Sequence, residues 1–317
     1  MTRLSVIICT HNPKPDYLKR VLRALAAQTL PTGQWELLLI DNASRLPLAP
    51  QHDLSWHPNV QSLREDELGL TPARLRGIRE SAGDILVYVD DDNLLVPDYL
   101  RTVVELFEAH PFLGVIGPGV IEPEFAVKPA PELGPYLHTL TLRSSAAALW
   151  SNNPTDSACV PWGAGMCVTR PVAQAYRQLV EQLGTELLDR RGPHLFGNGD
   201  VAFSWAAART GKGFGVFPQL RVTHLIRAER LTQAYLLRLT HDCTFSNTVS
   251  DYLYLGASPG SAAQRRKEIL WLLPQALRRG LFALRIGWTR IRATDRARAL
   301  IEERHLRPLF REPPTWR

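Results

Sequence analysis

Residues 85–93 form an apolar run that ends in three consecutive aspartates: Ile85-Leu86-Val87-Tyr88-Val89-Asp90-Asp91-Asp92-Asn93. A short run of this composition predicts a buried β-strand. Three adjacent carboxylates at the end of a strand repel one another unless a cation or hydrogen-bond donors compensate them. We therefore expect a ligand-binding edge here. The alternative is a solvated acidic turn that caps the next helix.

The segments around this strand alternate between strand and helix patterns. Further strands are predicted at 4–9, 35–40 and 60–63, and helical spacing marks 17–25, 71–81 and 98–109. Such alternation predicts an α/β fold, Rossmann-like, with a mostly parallel sheet flanked by helices. Ligands of such sheets bind beyond the carboxyl ends of the strands.

The pattern loosens after residue 113. Extended segments are expected at 113–121, 158–169 and 213–225, and helices at 171–188, 200–209, 231–255 and 262–306. Pro274 should kink the last helix. We place a boundary near Ile226. The predicted division is a catalytic domain over 1–225, with halves 1–120 and 121–225, followed by a basic helical extension over 226–317.

Three polar groups should meet at one edge of the sheet, because each follows a predicted parallel strand. They are Thr10-His11-Asn12, Asp41-Asn42 and Asp90-Asp91-Asp92. The Asp41 carboxylate can accept a hydrogen bond from a nucleobase N–H, although a turn role is the alternative. Thr10 and Asn12 have the same alternative. Their shared edge favours a nucleotide pocket.

Asp90 and Asp92 form a D-x-D pair that suits a hard cation. Mg²⁺ or Mn²⁺ takes one or two carboxylates from a protein and completes its shell with phosphate oxygens and water. His224 follows the predicted strand 213–225 and is a candidate third ligand. A purely structural histidine is the alternative.

Several segments, in this order along residues 1–240, resemble family 2 of the inverting glycosyltransferases. They are Ser5-Val6-Ile7-Ile8-Cys9-Thr10-His11-Asn12, Leu38-Leu39-Ile40-Asp41-Asn42-Ala43-Ser44, Gly69-Leu70-Thr71-Pro72-Ala73-Arg74 and Val89-Asp90-Asp91-Asp92-Asn93. On the acceptor side, Trp162-Gly163-Ala164-Gly165-Met166 and Asn198-Gly199-Asp200 are similar to the family's motifs. The resemblance implies a GT-A fold and transfer from a nucleotide-diphospho-sugar in bacterial polysaccharide-type synthesis.

The resemblance also implies roles for individual residues. The residues that it places around the donor are Thr10, Asn12, Asp41, Arg74, Asp90 and Asp91. Asp92, with Asp90, would hold the metal, and the acceptor side would include Trp162, Gly163, Ala164 and Gly165. Trp162 would stack on an acceptor sugar unless it is simply a buried loop residue.

The same resemblance makes Asp200 the catalytic base. One departure matters, because many members carry Glu-Asp where this chain has Gly199-Asp200. The alternative for Asp200 is a plain helix N-cap. The chemistry is coherent in either case: a metal neutralises the leaving diphosphate, and a base takes the proton from the attacking hydroxyl. A single displacement inverts the anomeric configuration.

Other enzyme classes fit less well. The turn after the first strand lacks G-x-G-x-x-G, and the chain lacks a P-loop motif, which disfavours a dehydrogenase and a P-loop kinase. A sugar-phosphate nucleotidyltransferase would carry a Gly-rich basic turn after the first strand. A non-catalytic nucleotide-sugar-binding protein would be expected to have lost its carboxylates. Asp41 favours a UDP-sugar donor, and the expected acceptor is a glycan or a lipid-linked hydroxyl.

The net charge of +6 resides in the C-terminal region. From residue 261 onward there are fourteen Lys and Arg against five Asp and Glu. Basic residues interleave with Trp and Leu there, which suits an anionic membrane surface; a helical hairpin packed on the catalytic domain is the alternative. The region lacks a nucleic-acid-binding module. The four cysteines show no paired spacing, and the N-terminal apolar stretch is too short for a signal peptide. We therefore expect a cytoplasmic protein, peripheral at the inner face of the cell membrane.

Overall fold

The computed structural model describes residues 3–184 and 198–309. Contacts divide the chain into two units: one comprises 1–126, 141–189 and 199–226, and the other 127–140, 190–198 and 227–317. The sequence division at Ile226 placed 127–140 with the catalytic half. These residues group instead with the second unit, where a 3₁₀ helix (Pro131–Leu140) contacts the long C-terminal helices and the Tyr136 ring lies 5.2 Å from that of Phe282.

The first unit is built on one ten-stranded sheet. Its strands are β1 (Leu4–Thr10), β2 (Trp35–Asn42), β3 (Val60–Glu65), β4 (Ile85–Val89), β5 (Asn93–Leu95), β6 (Leu113–Phe125), β7 (Arg143–Ser144), β8 (Leu149–Ser151), β9 (Cys167–Thr169) and β10 (Gly213–Ile226). Its helices are α1 (Pro15–Ala26), α2 (Leu70–Glu80), α3 (Tyr99–Ala109), α4 (Arg170–Leu183) and α5 (Val201–Arg209).

The strand order is β3-β2-β1-β4-β9-β6-β10-β5, with β7 beside β6 and β8 beside β10. The first four strands are parallel, and β6 and β10 are parallel to each other. The predicted α/β fold with a mostly parallel sheet is confirmed. Both faces are covered: β2 is buried along its whole length, and α1 buries the apolar residues whose spacing predicted it.

Helix α2 packs unusually close to the sheet. A Cβ at Gly77 would lie 2.7 Å from Cγ2 of Ile7 on β1, so only a glycine allows this approach. The start of α2 is fixed by Asn42, whose side chain accepts a hydrogen bond from Gly69 N (2.8 Å) and donates one to Glu67 O (2.7 Å). These contacts place Arg74, one turn before Gly77, beside the sheet.

Two expectations for the first unit need correction. The strand expected over 158–169 is limited to β9, because Gly165 adopts φ +74° and turns the chain away from an extended path. The short strand β5, immediately after the aspartates, pairs antiparallel with β10 and was not foreseen. Helix α4 ends at Leu183, and residues 185–188 of the expected helix lie outside the described residues.

The second unit contains α6 (Gln233–Leu255) and α7 (Ala262–Glu303). The break in α7 lies at Gly280 (φ 83°, ψ 176°) and not at the expected Pro274. The two parts of α7 fold back on each other: Arg265 pairs with Asp295 at 2.9 Å, and a Cβ at position 287 would lie 2.3 Å from Cδ2 of Leu272. Therefore α7 is a helical hairpin that turns at a left-handed glycine.

Candidate active site

The three predicted polar groups come together at the carboxyl ends of β1, β2 and β4. The β1–β2 register sets Thr10 beside Asp41, and β4, on the other side of β1, leads directly into Asp90. The Thr10 hydroxyl donates a hydrogen bond to the Asp91 carboxylate, which joins the first group to the last. The sheet thus gathers at one edge residues that are eighty positions apart.

The loops after β1 and β2 are tied to each other by Asn12. Its backbone has φ 47°, a left-handed conformation that Asn tolerates better than most residues. Asn12 N donates to Ser44 Oγ (2.9 Å), and Asn12 Oδ1 accepts from Arg45 N (2.9 Å). The side chain that was expected to contact a nucleoside therefore shapes the loop that would contain it.

Asp41 is buried and its charge is compensated. Oδ1 accepts a hydrogen bond from Ser44 N (3.0 Å), and Oδ2 lies 3.2 Å from Nη1 of Arg64. Arg64 is the register partner of Asp41 on β3, a cross-strand relation that the sequence pattern did not single out. Each carboxylate oxygen has two lone pairs, so Asp41 can still accept a nucleobase N–H.

The aspartate cluster is held together by Asn93, which is 1 % exposed. Its Nδ2 donates to Asp92 Oδ1 (2.8 Å) and to Asp90 Oδ2 (3.2 Å). A neutral amide donor thus links the two carboxylates of the D-x-D pair. We did not predict this role, although the position of Asn93 directly after the cluster was a usable signal.

His224 is brought to the aspartates by strand pairing. β5 and β10 align His224 with Asn93, so His224 Nε2 lies 3.5 Å from Asp92 Oδ2. The two side chains are 4 % and 13 % exposed. Sequence spacing alone could not give this distance, because 132 positions separate the partners.

The residues present fit a hard cation only in part. Within residues 3–184 and 198–309, no group of three or more His, Cys, Asp and Glu side chains is arranged to hold a metal ion. The predicted ligands Asp90, Asp92 and His224 are therefore not assembled as a closed three-ligand site. Asp92 and His224 offer one oxygen and one nitrogen donor, which suits a cation that takes its remaining ligands from phosphate and water.

Arg74 is fully buried between the donor-side and acceptor-side carboxylates. Burial alone would lower the pKa of its guanidinium, but Tyr176, Asp200 and Asp90 together outweigh burial and raise the pKa above its ordinary value. Its Cζ lies 5.7 Å from the centroid of the Tyr88 ring. Arg74 therefore stays protonated and compensates both carboxylate groups.

Cys9 precedes Thr10 on β1 and lies within electrostatic reach of Arg74 and Asp90. Burial raises the pKa of its thiol to about 12, so the thiol is neutral at physiological pH. None of the four cysteines, all of which lie in the described residues, forms a disulfide.

Asp200 caps α5 and also reaches the acceptor-side loop. Oδ1 accepts a hydrogen bond from Val201 N (2.9 Å), and Oδ2 accepts one from Gly163 N (3.0 Å). The capping role that we considered as the alternative is therefore present, together with a link to the predicted acceptor motif. A Cβ at Gly163 would lie 2.7 Å from Nη2 of Arg74, so any larger residue here would displace the guanidinium from its present position.

Of the four predicted acceptor residues, Gly163, Ala164 and Gly165 are buried, and only Trp162 is partly exposed. Ala164 is 2 % exposed, and the carbonyl of the buried Gly165 accepts a hydrogen bond from the Tyr99 hydroxyl at 2.5 Å. These two support the loop and offer little surface to a ligand. Trp162 is half-buried, and Arg143 lies over its ring with Cζ 3.8 Å from the centroid. Arg143 was not predicted, because nothing near it in the sequence marks it.

The site can now be compared with known proteins. Residues 5–136 match the family described as Glycosyl transferase family 2.

Over these residues the chain is homologous to family 2 glycosyltransferases.

Among the relatives, an uncharacterized glycosyltransferase of Haemophilus influenzae is 27 % identical over 113 residues, which are 36 % of this chain and 37 % of that protein. Glycosyltransferase AglE of Haloferax volcanii is 36 % identical over 93 residues, which are 28 % of this chain and 30 % of AglE. The matches thus span about a third of the length of these curated relatives.

A solved structure shares the fold along most of this chain. It is the mannosyltransferase PcManGT from Pyrobaculum calidifontis, in complex with GDP-Man and Mn²⁺. The TM-score is 0.56 at 20 % sequence identity, and the likeness covers 95 % of this chain and 87 % of that one. The expected GT-A fold with C-terminal helices is confirmed.

A first prediction concerns the amide that links the aspartates. Asn93→Ala should lower the free energy of unfolding by about 1–3 kcal/mol, because two half-buried carboxylates lose a donor and repel each other. Urea unfolding at neutral pH measures the loss, with the exposed Asn59→Ala as the control variant. An equal and small effect of both substitutions would contradict the role assigned to Asn93.

Proposed function

We propose that this protein is an inverting, metal-dependent glycosyltransferase that moves a sugar from a nucleotide-diphospho-sugar to an acceptor hydroxyl in glycan or polysaccharide synthesis. One observation supports this function above all. The buried Arg74 lies within electrostatic reach of two carboxylates, Asp90 beside the Asp92–His224 pair and Asp200 at the start of α5.

Each part of the edge has a chemical task in this proposal. Asp92 and His224 would hold Mn²⁺ or Mg²⁺, with Asp90 beside them, and the cation neutralises the leaving diphosphate when bound. Asp200 accepts the proton of the acceptor hydroxyl while the oxygen of that hydroxyl forms a bond to the anomeric carbon. The bond from that carbon to the diphosphate oxygen breaks with its electron pair on the diphosphate, and attack from the opposite face inverts the anomeric configuration.

The surroundings of Asp200 suit a carboxylate that acts as a base. It lies at the N-terminus of α5, where the helix dipole stabilises a negative charge, and two backbone N–H groups donate to it. Arg74 adds a nearby positive charge.

The donor and the acceptor belong to the proposal as well. Asp41 favours a uracil edge and hence a UDP-sugar, while the mannosyltransferase from Pyrobaculum was solved with GDP-Man, so both nucleotides belong in a donor screen. The proposed acceptor is a glycan or a lipid-linked hydroxyl. A sugar-phosphate nucleotidyltransferase would release pyrophosphate where a glycosyltransferase releases nucleoside diphosphate, so the released product distinguishes the two.

The metal assignment gives the second prediction. Asp92→Ala should reduce nucleoside diphosphate release by about 10²-fold or more, because the leaving group loses its charge compensation. The fold should persist, since a repelling carboxylate is removed. Asp98→Ala, at an exposed position on the same unit, is the matched control. Full turnover of Asp92→Ala in Mn²⁺-containing buffer would refute the assignment.

The third prediction separates base from helix cap. Asp200→Ser retains a good N-cap residue but removes the base, and Asp200→Asn cannot take up the proton. Both variants should bind UDP or GDP like the wild type and lose transfer by about 10²–10⁴-fold. Near-normal transfer by Asp200→Ser would mean that Asp200 is only a cap. Retention of configuration in the wild-type product would exclude the single displacement.

We also propose that the α7 hairpin contacts an anionic membrane surface from the cytoplasmic side. Next to the turn at Gly280, Leu277 and Leu281 are 88 % and 76 % exposed, and Leu270 and Trp271 are exposed on the same hairpin. Arg266, Lys267 and Arg278 are exposed beside them. Apolar side chains with Lys and Arg suit the headgroup region, where each cation contributes about 1 kcal/mol. Among the helices of residues 3–184 and 198–309, none combines the length and the apolar character that crossing a bilayer requires.

The fourth prediction tests this surface. The double variant Leu277→Asp, Leu281→Asp should lose co-sedimentation with liposomes that contain anionic lipid, because two apolar contacts become negative charges. Binding of the wild type should weaken at high salt. Leu46→Asp, at a residue that is 69 % exposed in the first unit, is the control. If the double variant sediments like the wild type, the hairpin is not the contact.

A further inference from the structure

Arg143 is a cation on the acceptor side that the reaction described above does not use. It lies on β7, paired with Ile121 of β6. Its guanidinium covers the Trp162 ring, with Cζ 3.8 Å from the centroid, and Nη2 donates to Val160 O at 2.9 Å. Two contacts thus hold the planar group in one orientation.

The charge of Arg143 is only partly compensated. Burial lowers the pKa of its guanidinium to about 10, against the opposing influence of the Asp200 charge, so the group is still protonated at neutral pH. Nη1 is buried and lacks a hydrogen-bond partner among the described residues. A buried, unmet donor on a charged group is costly, and native proteins keep few of them. Such a donor is typical of a position that a ligand completes.

The neighbours of Arg143 indicate where this ligand belongs. Trp162 beneath the guanidinium continues directly into Gly163, whose N–H donates to Asp200 Oδ2. The oxygens of Asp200 already accept from two backbone N–H groups, so Arg143 is not required to hold the base in place. In the proposed reaction, by contrast, the donor diphosphate lies next to the Asp92–His224 pair. A group bound by Arg143 is therefore next to the attacking hydroxyl.

The chemistry of a guanidinium narrows the range of ligand groups that Arg143 would bind. Its rigid fork of donors binds carboxylate and phosphate groups in bidentate fashion, while an aromatic ring packs against the face of a sugar. We propose that Arg143 is an acceptor-specificity residue, which binds a carboxylate or phosphate carried by the acceptor next to the hydroxyl that Asp200 deprotonates. This inference rests on the proposed function and deepens it: the acceptor is an acidic glycan or a phosphate-bearing one.

The test compares simple sugars that differ in charge. Methyl β-glucuronide, glucose 6-phosphate and the neutral methyl β-glucoside are titrated into full-length protein with UDP or GDP and Mn²⁺ present, and dissociation constants are obtained by calorimetry or ligand-observed NMR. The wild type should bind at least one anionic sugar ten-fold or more tightly than the neutral one. Preference for the glucuronide identifies a carboxylate, and preference for the phosphate identifies a phosphate ester.

The variants assign the preference to Arg143. Arg143→Gln should remove it, and Arg143→Lys should keep part of it, because the charge remains while the fork is lost. The exposed Arg101→Gln is the matched control, and circular dichroism confirms folding.

Nucleotide affinity is measured separately: if the wild type binds neither UDP nor GDP, the proposed function fails. Equal binding of charged and neutral sugars by the wild type, or a preference that survives in Arg143→Gln, overturns the acceptor role. A loss of nucleotide affinity in Arg143→Gln alone would also overturn the acceptor role, because the guanidinium would then bind the donor.

Discussion

The buried guanidinium of Arg74 makes the functional edge possible. Carboxylates from the loop after β4 and from the start of α5 lie close enough to influence its pKa, and without a cation between them they would repel one another across a poorly solvated space. Its position depends on two glycines. Gly77 lets α2 approach β1, and Gly163 lets the acceptor-side loop pass the guanidinium. Burying a charge is costly by itself. The close packing around Arg74 therefore serves the site and not the stability of the fold.

The sheet has two parts with different roles, namely the parallel strands β1 to β4 and the mixed part formed by the remaining strands. The parallel strands β1 to β4 bring the turns with Thr10, Asp41 and the aspartates to one edge. The mixed part supplies partners from farther along the chain: β10 presents His224 to Asp92 through its pairing with β5, and β7 presents Arg143 to Trp162. The first part therefore resembles many nucleotide-binding sheets, whereas the second gives this site its individual chemistry.

Much of the first part could be predicted from the sequence, because its signals are local. Apolar runs ending in polar residues located β1, β2 and β4 to within two residues, and helical spacing located α1 and α2. The resemblance of short motifs then indicated the fold and the family.

What could not be predicted depends on partners far apart in the chain. The contacts of His224 with Asp92 and of Arg143 with Trp162 follow from strand pairing, which no local pattern encodes. The break in α7 at Gly280 was missed because a proline six residues earlier looks like the stronger interruption, although a proline can remain in a helix and a glycine with positive φ cannot.

The neutral thiol of Cys9 has a consequence for the chemical reactivity of this edge. A cysteine reacts with electrophiles and oxidants through its thiolate and not through its thiol. Since burial raises the pKa of this thiol to about 12, very little thiolate is present at neutral pH. A cysteine can therefore stand next to the aspartates without making the edge sensitive to oxidation or alkylation.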